Sequence, residues 1–223
     1  VANLNTTTKH QMGAGTQTSA LSISGYNTAW LAKNEEWNGA SWTEVADLNT
    51  ARRGGRGSGL QGAALCINGY PGVSNVESWN GTSWAETTDL NTGRYGLGGT
   101  GAATAAIAFG GNSGSLTTET EQCQGAGTAV NAWSTTTAMN TGRAQLMGSG
   151  TSTSALAFGG DEPPASDKTE SWDGSSWTEV NDLNQARNDL AGYGTASLGM
   201  AVGGNDGSVE NKTETWNGTS WTE

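Results

Sequence analysis

Charged side chains recur along this chain at a fixed place. Glutamate stands at Glu35, Glu77, Glu121, Glu170 and Glu214, and arginine at Arg52, Arg94, Arg143 and Arg187. A circle of carboxylates could hold a cation, and two carboxylates at a set separation could cleave a glycosidic bond. An arginine fork can bond a carboxylate or several strand carbonyls. Charges that return once per repeat serve structure before chemistry, however, with the guanidinium binding a carboxylate or strand carbonyls of its own unit. In the first copy Thr8 replaces the arginine, with Lys9 beside it. The remaining reactive inventory is thin. His10 is the single histidine and has no nucleophile-elbow motif near it. Cys66 and Cys123 read as small buried hydrophobes rather than a disulfide. No Cys/His cluster has zinc spacing, and the Gly-x-Gly stretches precede strands, not phosphate-binding helices. The inner-strand candidates carry almost no acid. The sequence therefore offers no catalytic residue, metal ligand set or cofactor motif.

The elements that carry these charges repeat five times. A phrase W-N-G-x-S-W, or a close variant, runs from Trp37 to Trp42, Trp79 to Trp84, Trp172 to Trp177 and Trp216 to Trp221, with a degenerate copy between Cys123 and Trp133. Leu4, Leu48, Leu90, Met139 and Leu183 mark a second phrase at steps of 44, 42, 49 and 44 residues. Gly25, Gly69, Gly111, Gly160 and Gly204 follow the same steps. Joining the ends restores a step of 44, because Trp221-Thr222-Glu223 reads into Val1-Ala2-Asn3-Leu4 as Trp42-Thr43-Glu44 reads into Val45-Ala46-Asp47-Leu48. A solenoid needs distinct polar caps, whereas a ring needs ends that complete each other. Each unit holds a Gly-x-Gly strand, a short apolar run ending in Gly, a polar loop and two Trp-bearing strands, too short for helices. Asn-Gly between the tryptophans suits the two positive φ angles of a type I′ hairpin. Four strands in about 44 residues is the size of a propeller blade. The expected fold is all-β: a five-bladed β-propeller with four antiparallel strands per blade, one domain over residues 1–223, its ends meeting to close the ring.

The order of arginine, Gly-rich strand, apolar strand ending in Gly-Gly, variable loop, Glu-bearing strand and tryptophans resembles the kelch repeat. Phe109-Gly110-Gly111, Phe158-Gly159-Gly160 and Val202-Gly203-Gly204 carry the diglycine, weakened to Ser24-Gly25 and Asn68-Gly69. Trp37, Trp79, Trp172 and Trp216 match the first kelch aromatic, and Trp42, Trp84, Trp133, Trp177 and Trp221 the second. Repeats of this kind are also similar to those of phage virion and bacterial surface proteins.

Composition limits the partners. The net charge of −11, without a basic run, repels phosphate backbones and anionic lipid, so neither nucleic acid nor membrane insertion is expected. Residues outside the repeat pattern are the better binding candidates, because loops on a rigid scaffold carry function. The loop after the diglycine differs in each copy and contributes Tyr26, Trp30, Tyr70, Asp161, Glu162, Asn205 and Asp206. Trp30 is singled out as lying outside the repeat register, and Gln124 to Asn131 as an insertion. Asp161 and Glu162 lack calcium-loop spacing. The expected function is a non-enzymatic module for protein interaction, attachment or decoration on a virion or extracellular surface. A lectin is the alternative, and a glycosidase is less favoured.

Overall fold

The computed structural model describes residues 2–124 and 132–223. The expected insertion at 124–131 thus falls almost wholly outside the described residues. Five four-stranded antiparallel sheets are arranged in a ring, a five-bladed β-propeller in which each blade follows chain order from centre to rim. The first blade holds β1 (Met12–Thr16), β2 (Ser19–Tyr26), β3 (Trp30–Trp37) and β4 (Trp42–Val45). The second holds β5 (Arg56–Leu60), β6 (Ala63–Gly69), β7 (Val73–Trp79) and β8 (Trp84–Glu86). The third holds β9 (Gly98–Ala102), β10 (Ala105–Phe109), β11 (Thr120–Gln124) and β12 (Ala132–Thr136). The fourth holds β13 (Met147–Thr151), β14 (Ser154–Phe158), β15 (Thr169–Trp172) and β16 (Trp177–Val180). The fifth holds β17 (Ala191–Gly194), β18 (Gly199–Val202), β19 (Thr213–Trp216) and β20 (Trp221–Thr222).

The Gly-x-Gly strands are innermost, and β1, β5, β9, β13 and β17 pack each on the next. Glycine is needed there because the backbones nearly touch. A Cβ on Gly57 would lie 2.3 Å from the Gly13 carbonyl oxygen, and one on Gly192 would lie 2.6 Å from Phe158 Cζ.

The hairpin turn corrects the type I′ expectation. Trp37 pairs with Trp42, leaving four residues between them, and the same register holds in three other blades. Only the glycine is left-handed, Gly39 at φ 93°, while Asn38 is not. The Asn38 side-chain oxygen instead accepts bonds from the Ala40 and Ser41 amides, both at 2.9 Å. Asn thus acts as a turn-closing acceptor rather than as a left-handed residue. The paired tryptophans pack at a tilt of 39–46° with ring centroids 5.3 to 5.4 Å apart.

The core lies between blades, not within them. Leu21 and Ile23 of the first blade pack with Ala64, Cys66, Trp79 and Trp84 of the second, and this pattern recurs at the next three junctions. Phe109 meets Trp177 and Phe158 meets Trp221, each pair at 4.9 Å. The junction of the fifth blade with the first is different. Met200 is 40% exposed and Tyr193 65%, whereas Leu21, Leu65, Ile107 and Leu156, which occupy the Met200 position elsewhere, are at 0–2%. The repeat arithmetic brings the ends into register here, but the structure leaves this seam uncovered.

Candidate functional site

Four of the five blades anchor the entry loop with the same buried lock. Arg52 Nη1 donates to Glu77 at 2.8 Å, Arg94 Nη1 to Glu121 at 2.7 Å, Arg143 Nη2 to Glu170 at 3.1 Å and Arg187 Nη2 to Glu214 at 2.8 Å. All eight side chains are essentially inaccessible. The second carboxylate oxygen accepts the amide of the loop asparagine, as from Asn49 and Asn140 at 2.7 Å. Burial lowers the Arg143 pKa, opposed by the adjacent Glu170. These groups face one another rather than a cleft. In the first blade Glu35 keeps its amide bonds, from Asn5 and Thr6 at 2.8 Å, without an arginine. A void of about 10 Å³ lies there among Thr6, Thr8, Ser24, Lys33 and Glu35.

The lock delivers the chain to the face that carries the variable loops. Immediately after the lock arginine, or Thr8 in the first blade, one residue bridges to the first residue of the following loop: Lys9 to Tyr26, Arg53 to Tyr70, Tyr95 to Asn112, Ala144 to Asp161 and Asn188 to Asn205. The next residue, His10, Gly54, Gly96, Gln145 or Asp189, is left-handed in every blade, with φ of 50 to 63°. These five lie around the channel mouth, joined by backbone bonds from Gly54 to His10 (3.0 Å), Gly96 to Gly54 (3.0 Å), Gln145 to Gly96 (2.6 Å) and Asp189 to Gln145 (3.2 Å). Desolvation there raises the Asp189 carboxyl pKa, offset by nearby His10.

The backbone of this face repeats and its side chains do not. In the first three blades they form a ladder. Arg53 lies over both Tyr26 (5.0 Å) and Tyr70 (5.1 Å), and Lys9 over Tyr26 (5.5 Å). Tyr70 meets Trp30 edge-on at 5.8 Å and Tyr95 at 5.4 Å. Trp30 is 42% exposed and Tyr70 38%, and the Arg53 Nε is buried without a hydrogen-bond partner. Among the described residues, seven of the ten cations form salt bridges; Lys9, Arg53 and Arg56 do not. All three belong to this sector of an acidic chain.

The loop candidates therefore divide. Tyr26, Trp30 and Tyr70 come together. Asp161, Glu162, Asn205 and Asp206 lie in the fourth and fifth blades and serve their own loops. Glu162 pairs with Lys168 at 3.1 Å and accepts from Ser166 at 3.2 Å. The Asn205 side chain caps Gly207 at 2.8 Å. The Asp206 carboxyl has a lowered pKa, chiefly through the Ser208 amide. Trp30 is not outside the register. It pairs with Tyr26 as Leu116 does with Asn112, Ala165 with Asp161 and Val209 with Asn205. Four loops share this pairing with different side chains, and the second is shorter, closed by the Gly72 amide on the Gly69 carbonyl at 2.8 Å.

Sequence reasoning missed Lys9, Arg53 and Tyr95 as one column, and Arg56 altogether. Arg56 shares its place with Met12, Gly98, Met147 and Ala191, each paired with the last apolar residue of its second strand. A charge in an apolar column is a readable signal. The Arg56 fork crosses to two other blades, donating to the Leu97 and Leu146 carbonyls at 3.1 and 3.0 Å. Desolvation lowers its pKa to about 10.

No family model matches the chain, and no curated protein does. Among solved structures, the chain is similar to that of YjhT, with a TM-score of 0.80 at 10% identity, over 96% of this chain and 83% of that one. At that identity the likeness concerns the fold alone.

Proposed function

We propose that this chain is a non-enzymatic binding module of the kelch type. It engages a protein partner through the loop face of its first three blades, in attachment or decoration at a virion or cell surface. The observation that carries this reading is the concentration of symmetry-breaking residues in one sector: Lys9, Tyr26, Trp30, Arg53, Tyr70 and Tyr95 against Ala144 and Asn188 at the matching positions of the other blades. Arginine, tyrosine and tryptophan dominate the energetics of protein interfaces. A guanidinium held between two tyrosines is worth ~0.5–2 kcal/mol per ring contact. It is also oriented beforehand, so little rotamer freedom is lost when it meets a carboxylate. The partner surface should therefore be acidic.

A carbohydrate partner is the second reading, favoured by the exposed rings of Trp30 and Tyr70, on which a sugar face can stack. A glycan array run beside capture on intact cells and virions, with wild type and Trp30→Ala, separates the two. Capture on particles without glycan signal supports the protein reading. Sugar binding that Trp30→Ala abolishes assigns the face to a lectin. No capture on any surface overturns both.

A further inference from the structure

The uncovered seam between the fifth and first blades is shaped for one particular object. At four junctions the second strand of one blade is covered by the next blade, by a tryptophan pair at three and by Cys123 with Trp133 at the second, and Trp177 and Trp221 each donate their indole N–H across the junction to Thr120 and Thr169 at 3.0 Å. Thr120 and Thr169 are fully buried. At the fifth seam the matching threonine, Thr213, is exposed, and Met200 and Tyr193 lie open beside it. Ser149 of the fourth blade donates to the Thr195 carbonyl of the fifth at 3.2 Å, as Ser58 does to Gly101 at 2.7 Å. Tyr193, which takes the place of Ser149 in the fifth blade, has no blade beyond it to reach.

We propose that this seam is a docking site for one further blade of the same repeat. Such a blade presents paired tryptophans to Met200, Val202 and Thr213 on one side, and an apolar second strand to Trp42 of the first blade on the other. The chemistry of the two walls requires this polarity. The fifth blade exposes a strand that wants covering tryptophans, and the first blade offers the half-buried Trp42, whose counterparts Trp177 and Trp221 are buried by a preceding blade. A second copy of the whole five-bladed chain presents the same two walls, and the test below separates it from a single added blade.

Methionine oxidation provides the test, because peroxide reaches exposed thioethers and spares buried ones. Met12 and Met139, both 4% exposed, serve as internal references. In the 223-residue chain, Met200 is expected to oxidise about tenfold faster than Met139. Appending a second copy of residues 180–223 after Glu223, in phase with the repeat, should slow Met200 to the reference rate. It should also raise Tm by about 5 °C or more, as expected when two nearest-neighbour interfaces, one with the fifth blade and one with the first, are added. The same appended blade with both turn tryptophans changed to alanine should protect nothing. Met200 already protected in the monomeric chain means the five blades close on themselves, and overturns the proposal. Protection that appears with dimerisation gives the seam to a second copy and overturns it too. A Met200 that stays reactive in the six-blade chain does the same.

Discussion

Replacing Arg52 with methionine tests whether the repeated charges hold the blades together. Arg52 and Glu77 are both fully buried, their ion pair is 2.8 Å long, and Arg52 also donates to the Cys66 carbonyl at 3.2 Å. In Arg52→Met, Glu77 keeps the Asn49 amide at 2.7 Å, the Asn49 side chain at 2.9 Å and the Thr50 amide at 3.2 Å, but loses its only cation. Leaving one buried partner uncompensated costs ~3–5 kcal/mol. The three remaining bonds argue for the lower end, about 3 kcal/mol. For a chain of this size that is a fall in Tm of roughly 6–12 °C. Urea and thermal unfolding followed by tryptophan fluorescence reads it directly, since Trp79 and Trp84 lie in the same junction. Adding Glu77→Gln to Arg52→Met removes the orphaned charge and should recover at least a third of the loss, a coupling of about 1 kcal/mol. A single-variant fall below about 2 °C, or a double variant no more stable than the single, would refute the argument.

Three further outcomes follow from the same geometry. Thr8→Arg places the missing cation beside Glu35, and should raise Tm by about 2–6 °C, read by calorimetry. Arg56→Met matches the apolar column of Met12 and Met147 and removes a cation that burial disfavours, so Tm should hold or rise; a fall beyond about 4 °C would show that its carbonyl bonds dominate. Asp173 occupies the turn position that is asparagine elsewhere, and the Ser176 amide, with further bonds from Ser175 and Ser176, lowers its pKa to about 2. Its folded pKa lies below the unfolded value, so its stabilisation is present above about pH 4 and disappears as pH falls toward 2. Asp173→Asn should flatten that part of the stability–pH curve, measured by urea unfolding between pH 5 and about pH 2.

The blades were legible because their spacing markers are covalently close and recur. A Trp, an Asn-Gly and a Gly-Gly at constant steps leave few architectures. Two readings failed where the local rule was applied without the pairing register. Asn38-Gly39 suggested a two-residue turn, yet the cross-strand partners are Trp37 and Trp42, and a four-residue loop needs one left-handed residue. Trp30 looked irregular because the first two loops differ in length, whereas its partner Tyr26 sits where Asn205 pairs with Val209. The ladder was half visible. Tyr26, Trp30 and Tyr70 stood in variable loops, but Lys9, Arg53 and Tyr95 come from the segment before each Gly-x-Gly strand and meet them only through bridges about 17 residues long in sequence. The uncovered seam could not be read at all, because in-phase ends satisfy the arithmetic of a ring whether or not the last two faces touch.

Trp30 and Val209 occupy one loop position in different blades, exposed at 42% and 88%, which makes them a matched pair for the central claim. The decisive measurement is capture on intact cells and virions by wild type, Trp30→Ala, Arg53→Ala and Val209→Ala, each first shown to unfold at the wild-type temperature. If the first three blades hold the binding face, Trp30→Ala and Arg53→Ala each weaken capture about tenfold or more, as interface anchors do, and Val209→Ala leaves it unchanged. Equal capture by all four, or a loss confined to Val209→Ala, would contradict the assignment.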